Sequence, residues 1–235
     1  MKVFFLSIEI VILAFLLSSN LLAQSNSANS KEAYLSWSAE QATKIRESWR
    51  IKGRVGGFLD TRILSTDKSF NYKLRATLMS PEAIRATARI EQINNQLSDK
   101  ETNALVIAAE KFNSLIVLIE IDPREGSGVI PNSWRALLKP KDAEQNSSSA
   151  VRGTNRNDLG EVAALKGSVN RDYDYDLFTV EFPLKDADGN PLWNAVPAEI
   201  ELTVGIYNKE GRVSWKISEA LKTRIENLIR KEEGK

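Results

Sequence analysis

The chain has 235 residues, with 32 Lys and Arg against 31 Asp and Glu, and it contains neither cysteine nor histidine. That balance gives no global reason to expect nucleic-acid binding, and the missing side chains exclude Ser-His-Asp and Cys-His catalysis and zinc sites of the usual His/Cys kind. Carboxylate chemistry, Ser-Lys chemistry and oxygen-liganded hard cations survive, and without disulfides an exported domain must draw its stability from packing.

Met1-Lys2, the apolar run Val3 to Leu17, and Leu21-Leu22-Ala23 before Gln24 follow the order of a secretory signal peptide. Glu9 interrupts the run, and Leu21 is bulkier than usual at its position. The rival reading is an uncleaved anchor, but the run falls short of the roughly 20 apolar residues that a span needs. Residues 1–23 are therefore expected to be removed near Ala23. The protein is then periplasmic or secreted, and it meets a membrane only if the segment stays uncleaved.

Residues 24–57 read as a polar tether followed by an amphipathic helix, with Leu35, Ala39, Ala42, Ile45 and Trp49 on one stripe. The basic stretch "KIRESWRIKGR" (44–54) reads as the solvated face and exit of that helix rather than a contact for an anionic surface. Gly53, Gly56 and Gly57 break the pattern. Leu59, Thr61 and Ile63 alternate weakly, and "NYKLRATLM" alternates as a strand.

Ser80, Pro81 and Glu82 announce a helix N-terminus, and Ser98 with Glu101 makes a capping box. A helical hairpin over 81–112 follows. "LIVLIEI" (115–121) reads as a central strand covered on both faces. "WRALLKP" is another strand, with Trp134, Ala136 and Leu138 on one side. Residues 141–172 read as a long surface excursion, partly ordered around "EVAAL". Asn146 begins an acceptor pattern for glycosylation.

Three further alternating runs centre on Val180, Val204 and Trp215. "NKEG" is read as the hairpin loop between the last two, with Gly211 free to turn left-handed. Ser218 caps a C-terminal helix over 219–231.

The fold class expected is mainly β: an immunoglobulin-like β-sandwich of about seven strands over 58–235, with the inserted hairpin and the C-terminal helix. The alternative is an α+β single sheet covered by helices.

Asp172, Asp174 and Asp176 share the parity of Phe178, Val180, Phe182 and Leu184, which is the core face. Carboxylates cannot enter a core unpaired, so either the sheet begins near Asp176 or a bulge flips the phase. Glu120 is the other acid suited to a two-carboxylate mechanism. Gly126-Ser127-Gly128 resembles a nucleophile turn only faintly, and "KGS" (166–168) has the wrong order for a phosphate loop.

In "KDADGNPLW" (185–193) Asp186, Asp188 and Asn190 mimic calcium ligands. Pro191 and Pro197 occupy the places that an EF-hand gives to glycine and glutamate, so the stretch reads as a turn. Trp193, just after it, is the tryptophan expected to be exposed. No residue is assigned as catalytic, cofactor-binding or metal-binding, and no cofactor is expected. The function expected is a non-catalytic extracytoplasmic module that meets an envelope protein or a surface polymer. The alternative is a carboxylate-dependent hydrolase of envelope or extracellular polysaccharide. Mass spectrometry of the protein secreted by a bacterial host should show a mature chain beginning at Gln24; a chain retaining Met1 would favour the anchor.

Overall fold

The computed structural model of the protein describes residues 32–57, 71–122, 134–144, 147–166 and 176–230. Two units are distinguished, the first ending at Ser38 and the second starting at Ala39. In the first, Ala33–Ser36 forms a short 3-10 helix, and the rings of Tyr34 and Trp37 meet edge to face at 6.2 Å. The weakly alternating residues 59–63, Asn146 and the N-terminal segment lie outside the described residues.

The second unit begins with α1 (Ala39–Ser48), β1 (Arg50–Val55) and β2 (Tyr72–Leu78). The hairpin follows as α2 (Pro81–Asn95) and α3 (Asp99–Glu110), and then come β3 (Ser114–Asp122) and β4 (Arg135–Pro140). The chain continues through β5 (Val151–Arg152), β6 (Thr154–Asn155), β7 (Asp176–Pro183), β8 (Glu199–Ile206), β9 (Lys209–Lys216) and α4 (Glu219–Ile229). Two antiparallel sheets result, ordered β1-β2-β3-β7-β6 and β5-β4-β8-β9. No helix among the described residues is long and apolar enough to cross a membrane.

The helix ends follow the sequence signals. Ser80 Oγ accepts from Ala83 N at 3.1 Å, with Pro81 in the first turn. Ser98 and Glu101 form both halves of the capping box. Gln96 terminates α2 in the left-handed region at φ 54°. Ser218 caps α4 and also donates to Glu82 Oε1 at 2.6 Å, tying the start of α4 to the start of α2.

The inward residues of both sheets form one core. Leu74, Leu115, Ile119 and Phe182 come from the first sheet, Leu138, Leu202 and Trp215 from the second, and Leu221 and Ile225 of α4 join them. β3 lies between β2 and β7 and is buried along its whole length, as its apolar run implied. The register attaches each of these α-helices at one end of this core. α1 enters β1 at Arg50, opposite Thr77; α2 and α3 join the end of β2 to the start of β3; α4 leaves the end of β9. The strand ends at the other pole lead to residues 58–70, 123–133 and 167–175 and to the tight turn Tyr207–Asn208.

Three expectations are corrected. Residues 50–55 are not a helix exit but β1: Arg50, Lys52 and Arg54 alternate with Ile51, Gly53 and Val55, and that period of two was hidden by the helical stripe before it. Residues 141–166 are not merely a surface excursion. β5 pairs with β4, β6 pairs with β7, and Val151, Leu159, Ala164 and Leu165 are buried. The last hairpin turns at Tyr207, with φ 54°, while Gly211 lies inside β9. With β1, β5 and β6 the described strands number nine rather than about seven, and they form two sheets rather than the single sheet of the alternative.

Gly211 is needed for a different reason. A Cβ there would strike the carbonyl group of Arg54 and come within 2.9 Å of Val55 Cα, because β1 crosses β9 backbone to backbone. Gly53 makes the reciprocal approach, where a Cβ would lie 2.7 Å from Val213 Cγ1. The amide of Gly56 donates to Glu210 O at 3.1 Å across the same seam. At the opposite edge Gly153 carries one strand from the second sheet to the first, since a side chain there would meet Val180 and Phe182. Gly211→Ala should lower stability by about 1–3 kcal/mol, the range for forcing extra atoms into a packed contact. Urea denaturation checks this, and an unchanged midpoint would remove the seam from the account.

Candidate functional site

Glu120 and Asp176 are the described members of the acid set singled out in the sequence; Asp172, Asp174, Ser127 and Ser168 lie outside the described residues. Asp176 is the first described residue of β7 and is exposed, so its carboxylate does not enter the core. Its partner across the ladder is Ile121, whereas Glu120 pairs with Leu177. Neighbouring ladder positions point to opposite faces. Asp176 and Glu120 are therefore divided by the sheet and cannot oppose each other across one cleft.

Glu120 is 3 % exposed and is held by arginines. Arg50 donates to its Oε1 from Nε at 3.1 Å and from Nη2 at 2.5 Å, and Arg75 Nη1 lies 3.6 Å from Oε2. Burial alone would lower the Arg50 pKa, but the hydrogen bond and charge of Glu120 outweigh it and raise it. Arg46 is shifted down, chiefly by burial. The arrangement clamps β1 and β2 to β3 and leaves Glu120 no open side for a substrate. Removing one partner of a buried ion pair leaves the other charge uncompensated.

"KDADGNPLW" is a turn. Asp186 Oδ1 accepts from Asp188 N at 3.0 Å and Asn190 N at 2.8 Å, and Lys185 bridges to Pro191. The amide of Asn190 foremost holds the Asp186 carboxyl below its usual range. Among the described residues no group of three or more Asp, Glu, His or Cys is placed to hold a metal ion. Trp193 corrects an expectation: it is 2 % exposed, with Nε1 donating to Ser149 O at 2.8 Å, because the turn folds back over the segment before β5.

The feature that sequence reasoning missed is the core end remote from the helices. Tyr72 opens β2, Trp134 precedes β4, Phe178 lies near the start of β7, and Tyr207 begins the β8–β9 turn. The rings of Trp134 and Phe178, one from each sheet, pack at 4.7 Å with planes tilted by 52°. Beside the crossing stretch of residues 151–155, which pairs with β4 and then with β7, this ring pair is a second link between the two sheets. Both rings are half-buried, Leu177 is exposed beside Phe178, and Tyr207 is 58 % exposed. The phenol of Tyr72 is raised above its usual pKa by burial and then by Tyr207. Asp176 stands one ladder step beyond Phe178 on the same face, about 6.6 Å along the strand.

The chain matches no protein-family model, no curated protein and no solved structure.

Glu120→Ala should destabilise the protein by about 3 kcal/mol. Chemical denaturation measures this, and a variant as stable as the parent would show that the arginine clamp contributes nothing.

Proposed function

We propose that this chain is an exported, non-catalytic binding module, and that its aromatic end engages a surface polysaccharide of the cell envelope. We read its two-sheet core as a β-sandwich of immunoglobulin-like size, with the helical hairpin inserted between β2 and β3. The observation that carries the binding role is the gathering of the partly exposed Trp134, Phe178 and Tyr207 from both sheets at one end, with Asp176 beside them. Aromatic faces stack on apolar ring faces, a carboxylate accepts hydrogen bonds from hydroxyls, and phenols both donate and accept. The α-helices attach at the other end.

A second reading, a carboxylate-dependent hydrolase, is favoured by the exposure of Asp176 at this end. Glycoside hydrolysis needs a second carboxyl group about 5–10 Å away on the same side, and of the two described acids singled out in the sequence Glu120 faces the other side of the sheet from Asp176. The binding reading therefore takes precedence.

Affinity electrophoresis of the mature protein in gels containing a panel of envelope polysaccharides tests it. At least one polysaccharide should retard the protein, and Trp134→Ala should weaken that interaction roughly tenfold, the loss of about one stacked ring. No retardation on any polysaccharide, with capture of an envelope protein instead, would overturn the choice of ligand. Reducing-sugar release that disappears in Asp176→Asn would replace the module with the hydrolase.

A further inference from the structure

The solvent faces of the helices are not alike. Apart from Ala39, every residue that α1 and α4 leave exposed is polar or charged. α3 is different. Its inner residues Thr102, Val106 and Ala109 are buried, and it packs on α2 and on the short 3-10 helix Ala163–Leu165. Its outer stripe is Ala104, Ile107, Ala108 and Lys111, spaced as one side of a helix, and all four are exposed. Ile107 is 69 % exposed, more than any other large hydrophobic residue among those described.

A fully solvated position gains nothing from isoleucine. A β-branched residue is a weaker helix former than lysine or glutamate, and its apolar surface stays in water. Burial against another apolar surface recovers about 25 cal/mol per Å². Ala104 and Ala108, on either side of Ile107, carry only methyl groups. They allow a second helix to come to the near end of the usual interaxial range of about 8–10 Å.

The charges at the two ends of α3 identify that second helix. At the N-terminal end Asp99, Lys100 and Glu101 leave one net negative charge, two acids against one lysine. At the C-terminal end Glu110 is already paired with Arg85 at 2.9 Å, so the exposed Lys111 supplies a net positive one. Glu101 uses only Oε2 in its capping box, accepting from Ser98 N at 2.8 Å and Ser98 Oγ at 2.6 Å, which leaves Oε1 open. A parallel pair of such helices sets lysine against lysine. In antiparallel order, Ala104 on the partner's Ala108 brings with it Lys111 on the partner's Glu101, because both pairs share one midpoint at the height of Val106. Two-fold symmetry repeats each contact, and the two Ile107 side chains meet beside the midpoint. The face is complementary to itself, which is what an isologous dimer requires.

We infer that α3 is the docking surface for a second copy of this chain, packed antiparallel, with Ile107 at the centre and a Lys111–Glu101 pair at each end. A single helix-on-helix contact is smaller than the interface of a stable complex, so the dimer is transient and forms as concentration rises.

Sedimentation velocity of the mature protein over a concentration series tests this. The weight-average mass should climb from monomer toward dimer. Ile107→Glu should weaken association by more than about a hundredfold, since two isoleucines return to water, while Tm stays at the parent value. Lys111→Glu should weaken it roughly tenfold, because each end then sets two glutamates together. Glu101→Lys should act likewise by setting two lysines together. An equimolar mixture of these two variants should recover the parent's association, since every end again joins lysine to glutamate. Only the antiparallel pairing gives that recovery. Glu101→Lys also removes half of the capping box, so circular dichroism checks its fold before mixing; if its helix frays, Ile107→Glu and Lys111→Glu still decide the outcome. A parent that stays monomeric throughout, an Ile107→Glu protein that associates like the parent, or a folded mixture no tighter than its components would overturn the inference. So would a monomeric parent that captures an envelope protein or phosphatidylglycerol vesicles through Ile107, since the face then belongs to that partner. Because none of these residues belongs to the aromatic end, failure here leaves the polysaccharide reading standing, and the reverse also holds.

Discussion

Two sheets can share one dry core only if their edges are brought together, and here glycine does it at both edges. β1 and β9 cross so closely that neither Gly53 nor Gly211 can carry a side chain, and Gly153 lets one strand pass from sheet to sheet over Val180 and Phe182. With these seams shut, Leu74, Ile119, Leu138 and Leu202 lose all or nearly all contact with water. Burial of that kind, at about 25 cal/mol per Å² of apolar surface, must supply the stability that disulfides supply in many exported domains. The remaining devices build on this closed core. The Glu120 clamp ties β1 and β2 to β3, Ser218 links α4 to α2, and Arg224 Nη2 ties α4 to the carbonyl groups of Phe112 and Ser114 at 3.1 and 3.4 Å.

The chain divides its labour by pole. Each α-helix of the second unit attaches at the pole where β1, β3 and β8 begin and where β2, β4, β7 and β9 end, and α4 buries its apolar stripe in the core there. The opposite pole keeps Trp134, Phe178 and Tyr207 at least partly exposed, whereas Tyr72 there is buried. The outer face of the four-stranded sheet follows a third logic. It carries paired charges across β4, β8 and β9 beside Leu137 and the buried Thr203.

Strands with strict alternation were legible, and so were helices with caps, because both signals are local. Asp176 was legible for a subtler reason: parity alone forbade its carboxylate from following Phe178 into the core. β1 was not, since its inward positions include a glycine whose value lies in the approach of β9, far away in sequence. β5 and β6 were not, because two-residue strands have no periodicity to read and gain meaning only from the two sheets that they join. Trp193 misled because the carbonyl that receives its indole belongs to Ser149, a partner distant in sequence.

The passage of residues 151–155 from one sheet to the other has a consequence for how the protein comes apart. A sandwich whose sheets are joined only by loops can lose one sheet while the other persists. Here a continuous stretch of backbone holds ladder bonds in both sheets within five residues, and Arg156 anchors its exit to Glu181 at 2.6 Å. Peeling away either sheet pulls on the strand that the other depends on. The two layers are thereby made a single cooperative unit, and partial opening is confined to the poles.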